Sequence, residues 1–228
     1  VATVSDLDLK KPIAVHASDS IQALALMMRD QNVRSVPVVD ESGRLAGVVG
    51  LKDIARHYMD SVGFADLSKA PIELDILLKT LDARVMSNAK QLTVLTGRVF
   101  IAAMQRGTML NRLRPGDVVV VGDQNEVQLE LIRSGCSAVI VTDNAILTNE
   151  VIAAAAEKEV LLLSSPLPAF ATVQLMTMSE PVSSIMTATC PTVGMYAPIA
   201  DVRAKIVESD YRSVVVVDSD RRLIGFIT

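Results

Sequence analysis

Apolar residues between Ser18 and Asn32 fall at Ile21, Leu24, Ala25 and Met28, the spacing of one helix face, and Ser18-Asp19-Ser20 just before them offers an N-cap. On either side the period changes. Pro12-Ile13-Ala14-Val15 and the β-branched run Ser35–Asp40 read as strands, Glu41-Ser42-Gly43-Arg44 as a hairpin turn, and Leu45–Val49 as the returning strand. Leu51–Tyr58 restarts as a helix with Asp53 in its first turn. The order is β-α-β-β-α. From Thr192 the chain retraces it and stops at Thr228, where the last helix is due.

The two stretches are copies of each other. Residues 6–50 align with 184–228 at a constant offset of 178, without a gap. Val15 meets Val193, Ile21 meets Ile199, and Arg34-Ser35-Val36 meets Arg212-Ser213-Val214. Val38-Val39-Asp40 meets Val216-Val217-Asp218, and Arg44, Leu45 and Gly47 meet Arg222, Leu223 and Gly225. Such a repeat reports one structural unit made twice. Split by a long insert, it is the layout of a ligand-sensing module rather than of a single active site.

The insert has another rhythm. Ala70–Leu81 reads as a helix and Leu92–Met104 as β-rich. Strands at Val118–Val121, Ala138–Thr142 and Val160–Ser164 then alternate with helices at Glu126–Ser134 and Asn149–Glu159, which predicts an α/β layer with parallel strands. Asp123 and Glu126 fit a capping-box start, and Gly135 fits a C′ glycine. The expected division is 1–60, 61–180 and 181–228, mixed α/β throughout.

Half of the chain is apolar, but aromatic residues make up 3% and Trp is absent, so the core is aliphatic, with Met27, Met28, Met104, Met176, Met178 and Met186 as packing residues. No apolar run reaches the roughly 18–20 residues of a membrane span. A net charge of −4 argues against a nucleic-acid partner, though a few arginines suffice for a small phosphate. Cys136 and Cys190 read as buried thiols of a reducing cytoplasm. Two lone histidines, His16 and His57, suggest structural or surface roles and no metal, and neither a Gly-x-x-x-x-Gly-Lys-Ser/Thr loop nor a Gly-x-Gly-x-x-Gly motif occurs. Beginning at Val1 and ending inside a repeat, the chain is expected to be a fragment of a larger protein.

Each repeat resembles a cystathionine-β-synthase (CBS) domain. The residues that carry the resemblance are Arg34–Asp40, the Gly43–Gly47 hairpin and Gly50-Leu51-Lys52-Asp53, matched by Arg212–Asp218 and Arg222-Leu223-Ile224-Gly225. The insert resembles a DRTGG domain through Leu113–Asp123 and Ser137–Asp143, with Thr142-Asp143-Asn144 standing where that family has Thr-Gly-Gly. The order CBS–DRTGG–CBS is similar to the regulatory insert of CBS-containing family II inorganic pyrophosphatases. That resemblance implies two β-α-β-β-α repeats in a Bateman-type pair around an α/β DRTGG domain, which forms dimers. It also implies a homodimer, and attached catalytic domains that use manganese or cobalt. AMP and ADP would inhibit, and ATP or diadenosine polyphosphates would activate. The fragment itself is expected to hold no cofactor beyond such a nucleotide and no catalytic residue.

The resemblance further implies site residues. In the second repeat, Thr189 and Pro191 lie on the lead-in that lines the base, and Tyr211 either stacks on adenine or reaches a phosphate. Arg212 would take phosphates, Ser213 and Val214 would line the cleft, and Thr228 holds the Thr/Ser position of the ribose motif. In the first repeat, Lys11 and Ile13 hold the lead-in, Arg34, Ser35, Val36 and Pro37 the cleft, and Asp53 the ribose acid, while Gly50 replaces the Thr/Ser. The clefts are therefore expected to be unequal, with one nucleotide per chain. Structural alternatives stand beside these roles: solvated charges for both arginines, an edge aromatic for Tyr211, and a helix-start acid for Asp53. A dimerisation scaffold without a ligand, a sensor for a different enzyme and a hydrolase within the insert remain alternatives for the whole.

Overall fold

The computed structural model describes residues 2–60, 66–103 and 106–228, with the backbone alone at Arg106. The chain divides into two compact units, Val1–Asp60 with Pro181–Thr228, and Ser61–Glu180.

The first repeat builds β1 (Val15–His16), α1 (Ile21–Gln31), β2 (Ser35–Val39), β3 (Leu45–Gly50) and α2 (Leu51–Asp60). Helix α1 is capped as its sequence demands. The Ser20 hydroxyl accepts from the Ala23 N–H at 3.1 Å, and Asn32 closes the helix in the left-handed region at φ 53°. Strand β2 is central, parallel to β1 and antiparallel to β3. Asp40 holds the hairpin by accepting from the Ser42 N–H, the Ser42 hydroxyl and the Arg44 N–H. The Ser42 hydroxyl, followed by these backbone N–H groups, holds the Asp40 carboxyl below its ordinary range.

The second unit comprises β4 (Ile72–Glu73), α3 (Leu74–Leu81), β5 (Arg84–Ser87), β6 (Val94–Leu95), β7 (Val99–Ile101) and α4 (Arg106–Arg112). It continues through β8 (Val118–Val121), α5 (Asn125–Arg133), β9 (Ala138–Val141), α6 (Asn149–Glu157), β10 (Leu161–Ser164) and α7 (Ala169–Met178). Its main sheet runs β5-β10-β9-β8-β7, parallel except for β5. Alternate strand residues feed two cores. Val118, Val120, Ile140 and Leu163 meet Leu74, Leu77 and Met176, while Val119, Val121, Val139 and Leu162 meet Leu131, Ile132 and Val151. Burial on both faces explains why these strands read as unbroken apolar runs.

Several boundaries differ from expectation. The helix expected from Ala70 begins only at Leu74, because Ile72 and Glu73 pair with Leu95 and Val94. The β-rich stretch resolves into β6 and β7, and Met104 lies outside the described residues. No Asp123–Glu126 capping box forms. The N-cap position falls on Gln124, the helix begins at Asn125, one residue before the expected Glu126, and the turn is held by Gln128 donating to the Gly122 carbonyl at 2.8 Å. Gly135 does follow α5 at φ 82°. Asp143 and Asn144, in place of two glycines, take φ 60° and 51°, the left-handed backbone that glycine adopts without strain.

The second repeat builds β11 (Thr192–Val193), α8 (Ile199–Glu208), β12 (Val214–Val217) and β13 (Leu223–Ile227). The copy extends to the bulge, which interrupts the antiparallel pair between Val38 and Val39 and again between Val216 and Val217. Both repeats share one unit because each sends its lead-in to the other. The Val4 and Ser5 N–H groups donate to the Ala197 and Met195 carbonyls. The residues 178 positions later do the reverse, Val182 to Asp19 and Ser183 to Ala17. Val4 and Leu9 accordingly pack in the second repeat's core, and Val182, Ile185 and Met186 in the first's. A third cluster, Leu45, Val48 and Val215 with Cys190, Tyr211 and Phe226, joins the two repeats. Among the described residues no helix is long and apolar enough to cross a membrane.

The crossing explains the paired Gly47 and Gly225. A Cβ on Gly47 would stand 2.5 Å from the Thr187 carbonyl oxygen, and that carbonyl is pinned by reciprocal bonds with Val48. A Cβ on Gly225 would crowd the Leu9 Cδ1, at 3.0 Å, the end of a flexible side chain, and would touch Val216 at an ordinary 3.5 Å. Gly47→Ala should therefore cost about 1–3 kcal/mol of stability in chemical denaturation, and Gly225→Ala clearly less. Equal losses would contradict the pinned crossing.

Candidate functional site

Asp53 sits in the first turn of α2, immediately after β3, and is 5% exposed. Its Oδ2 accepts the Gly50 N–H at 2.8 Å, one half of a capping box that turns the chain from strand into helix. The same oxygen accepts the hydroxyl of Tyr211, from the other repeat, at 2.9 Å. Since the Tyr211 O–H donates to Asp53, the Thr187 hydroxyl, 2.7 Å away, donates to the phenolic oxygen. Lys52 lies 4.0 Å above the Tyr211 ring centroid and 3.8 Å from Asp210.

Gly50 belongs to this arrangement. A Cβ there would approach the Tyr211 ring within 3.2 Å and the Arg34 carbonyl within 3.1 Å. The glycine that stands for Thr/Ser in the ribose motif is thus the residue that leaves room for the tyrosine. Tyr211, expected either to stack on adenine or to reach a phosphate, has its hydroxyl engaged with Asp53 and Thr187. Burial pushes this phenol up to about 12, opposed by the Thr187 hydroxyl and reinforced by the Asp53 carboxylate.

Grouping the site residues by repeat does not match the geometry. Each cleft combines the lead-in and central-strand start of one repeat with the third-strand end of the other. Where the first cleft is expected, Asp53 bonds Tyr211, which is followed in the chain by Arg212, Ser213 and Val214, and Thr189 and Pro191 lie on the segment that follows Thr187. Ser213 and Val214 are buried, and the Pro191 carbonyl accepts the Val215 N–H at 3.1 Å. Arg212 is exposed at φ 51°, and one guanidinium N–H donates to the Val207 carbonyl at 3.0 Å, so part of its role is to close α8. The second cleft, of about 560 Å³, is lined by residues 7–13, Asp8, Lys10 and Lys11 among them, with Val33, Ser35, Val36, Phe226, Ile227 and Thr228. Val33 stands there where the first cleft has Tyr211. Arg34 is exposed at its edge, and Pro37 is buried in β2.

Sequence reasoning missed Thr187 and Lys52. Thr187 has no identical partner in the first repeat, and only the crossing of the lead-ins brings it to Tyr211. The first repeat's Lys52 could have been noticed as the neighbour of Asp53, but nothing in the sequence placed an aromatic ring beneath it. Elsewhere, burial pushes the Cys136 thiol up to about 12 and raises that of Cys190. Among the described residues no group of three His, Cys, Asp or Glu could hold a metal ion.

Family models match the chain on both sides of the split and within it, CBS domain over residues 4–60 and 182–228, DRTGG domain over 76–179. The chain is 33% identical over 226 residues to a probable manganese-dependent inorganic pyrophosphatase of Thermotoga maritima, covering 99% of this chain and 41% of that protein. It is 30% identical over 225 residues to the cobalt-dependent inorganic pyrophosphatase of Clostridium perfringens, covering 98% and 41%. It thus spans about two fifths of the length of these relatives. Over 100% of both chains it superposes, with a TM-score of 0.87 and 28% identity, on the CBS and DRTGG domains of the regulatory region of the Clostridium perfringens pyrophosphatase, solved with its activator diadenosine tetraphosphate.

The Tyr211–Asp53 bond has a measurable signature. A difference absorbance titration should place the Tyr211 phenol near 12, and Asp53→Asn should lower it without restoring the ordinary value of 10.0, because burial is the larger cause. The unfolded chain loses this proton at lower pH than the folded chain. The associated stability is therefore complete below pH 10 and falls between 10 and about 12. A phenol that titrates unchanged in Asp53→Asn would contradict the bond.

Proposed function

We propose that this chain, a CBS–DRTGG–CBS region homologous to part of the manganese- and cobalt-dependent inorganic pyrophosphatases, senses adenine nucleotides and regulates an attached pyrophosphatase in the cytoplasm. The observation that carries the reading is the buried Asp53 carboxylate at a helix start, facing a strand start from the other repeat. The full-length likeness to a regulatory region solved with diadenosine tetraphosphate supports it.

In this reading the nucleotide enters the first cleft. Its ribose hydroxyls donate to Asp53, an acceptor that a neutral side chain would replace poorly. The base lies along Thr189, Pro191 and the Ser213–Val214 backbone. Phosphates face the guanidinium donors of Arg212 that Val207 does not use. Lys11, Ile13, Arg34, Ser35, Val36, Pro37 and Thr228 form the second, unequal cleft, and one nucleotide binds per chain. Two chains associate as a homodimer. Phosphates of two mononucleotides repel across it, whereas one diadenosine polyphosphate bridges both chains, so AMP and ADP favour an inhibited shape and ATP or diadenosine polyphosphates an active one. Each ligand shifts the equilibrium only by its differential affinity for the two shapes. Manganese or cobalt belongs to the attached catalytic domains.

Isothermal titration calorimetry with AMP and then diadenosine tetraphosphate tests this. The expected result is one AMP per chain and one diadenosine molecule per two chains. Asp53→Asn should weaken AMP roughly tenfold or more, the worth of a hydrogen bond to a charged acceptor. Arg212→Ala should weaken it several-fold without unfolding. Absence of heat and of any thermal shift with every adenine nucleotide would leave a dimerisation scaffold.

A further inference from the structure

The nucleotide cleft proposed above already contains a hydroxyl on its ribose acceptor. Asp53 Oδ2 accepts two donors, the Gly50 N–H and the Tyr211 O–H. A carboxylate oxygen offers about two lone-pair sites, so this one is full. No hydrogen bond to Oδ1 is found among the described residues. A ribose 2′,3′-diol grips a carboxylate with one hydroxyl on each oxygen, and it therefore needs a place on Oδ2. The Gly50 N–H cannot yield that place, because it belongs to the strand-to-helix turn. The tyrosine can, since its hydroxyl keeps a second partner in Thr187.

We infer that Tyr211 is a built-in competitor for the ribose diol, a specificity-determining residue whose hydroxyl occupies Asp53 until a diol displaces it. The inference rests on the proposed nucleotide site. Three features point to an adapted arrangement rather than a chance contact. Gly50 leaves only enough room for the ring, Lys52 lies over its face, and Thr187 stands ready to hold the displaced hydroxyl. In the second cleft Val33 occupies the equivalent position and offers no hydroxyl. The hydroxyl thus lies on the Asp53 side, and Val33 supplies none on the other. Its consequence is selectivity. A ligand without the diol leaves the tyrosine in place and gains nothing from Asp53, and a ligand with it must gain more than the phenol loses.

Calorimetry of AMP and 2′,3′-dideoxy-AMP against the wild-type chain and Tyr211→Phe tests the inference. Removing the hydroxyl frees Oδ2, so Tyr211→Phe should bind AMP on the order of tenfold tighter, the worth of a hydrogen bond to a carboxylate. Its affinity for dideoxy-AMP should not change. Gly50→Ser, which presses on the ring, should shift AMP in the same direction. Weaker AMP binding by Tyr211→Phe would make the tyrosine a direct ligand and overturn the inference. So would an equal gain for both nucleotides, which would mark the ring as a steric cover. If wild type and Asp53→Asn bind AMP equally, or neither binds it, the cleft itself is not the nucleotide site, and the inference falls with that reading.

Discussion

The reciprocal exchange of lead-ins is the constraint on which the first unit depends. Two sets of backbone bonds, Val4 and Ser5 to the second repeat and Val182 and Ser183 to the first, tie each repeat's core to a segment from the other. Neither core is complete without it, since Val4 and Leu9 fill one and Val182, Ile185 and Met186 the other. Both clefts follow from the same exchange. Each must be walled by two repeats, because the segment that forms its floor starts in one and lies against the other. Gly47 follows as well, since the crossing chain passes where its side chain would be.

A duplicated scaffold has produced two unlike clefts, and three of the pairs that differ bear on them directly. Tyr211 stands opposite Val33, Thr228 opposite Gly50, and Val215 opposite Pro37. The last pair alters the backbone: Val215 donates to the Pro191 carbonyl, and proline at position 37 has no N–H to offer Ile13. The first two pairs decide where hydroxyl groups lie. On one side Asp53 is met by a phenol from across the seam. The hollow on the other is lined by Asp8, Lys10 and Lys11 among others.

Periodicity made the regular elements legible. The run Val118–Val121, the Ser20 cap of α1 and the Asp40 hairpin stand in the structure close to where the pattern put them, because each depends on residues within a few positions. Elements defined by distant partners were not readable. Strand β5 exists through pairing with β10, and α7 carries apolar residues without a single stripe, so neither announces itself locally. The candidate site divides in the same way. Asp53 could be named from its place before a helix, but its partnership with Tyr211 spans 158 positions and passes through the crossing. The sequence reading puts Asp53 and Tyr211 in different clefts, and the bond between them crosses that division. The duplication was visible, and the exchange between its copies was not.

The split of the first unit also sets an order of events during synthesis. The first repeat leaves the ribosome with its seam open, and Val182, Ile185 and Met186, which complete its core, lie beyond an insert spanning Ser61–Glu180. At about 5–20 residues per second, that is a delay on the order of ten seconds. The insert, whose sheet strands β5 and β7–β10 and packing helices are contiguous in the chain, can close its own core in that interval. Nascent chains therefore pass through a stage in which the middle is folded and the beginning still waits for the end. An unfinished seam of strand edges and valines is then the part of the molecule most in need of a chaperone.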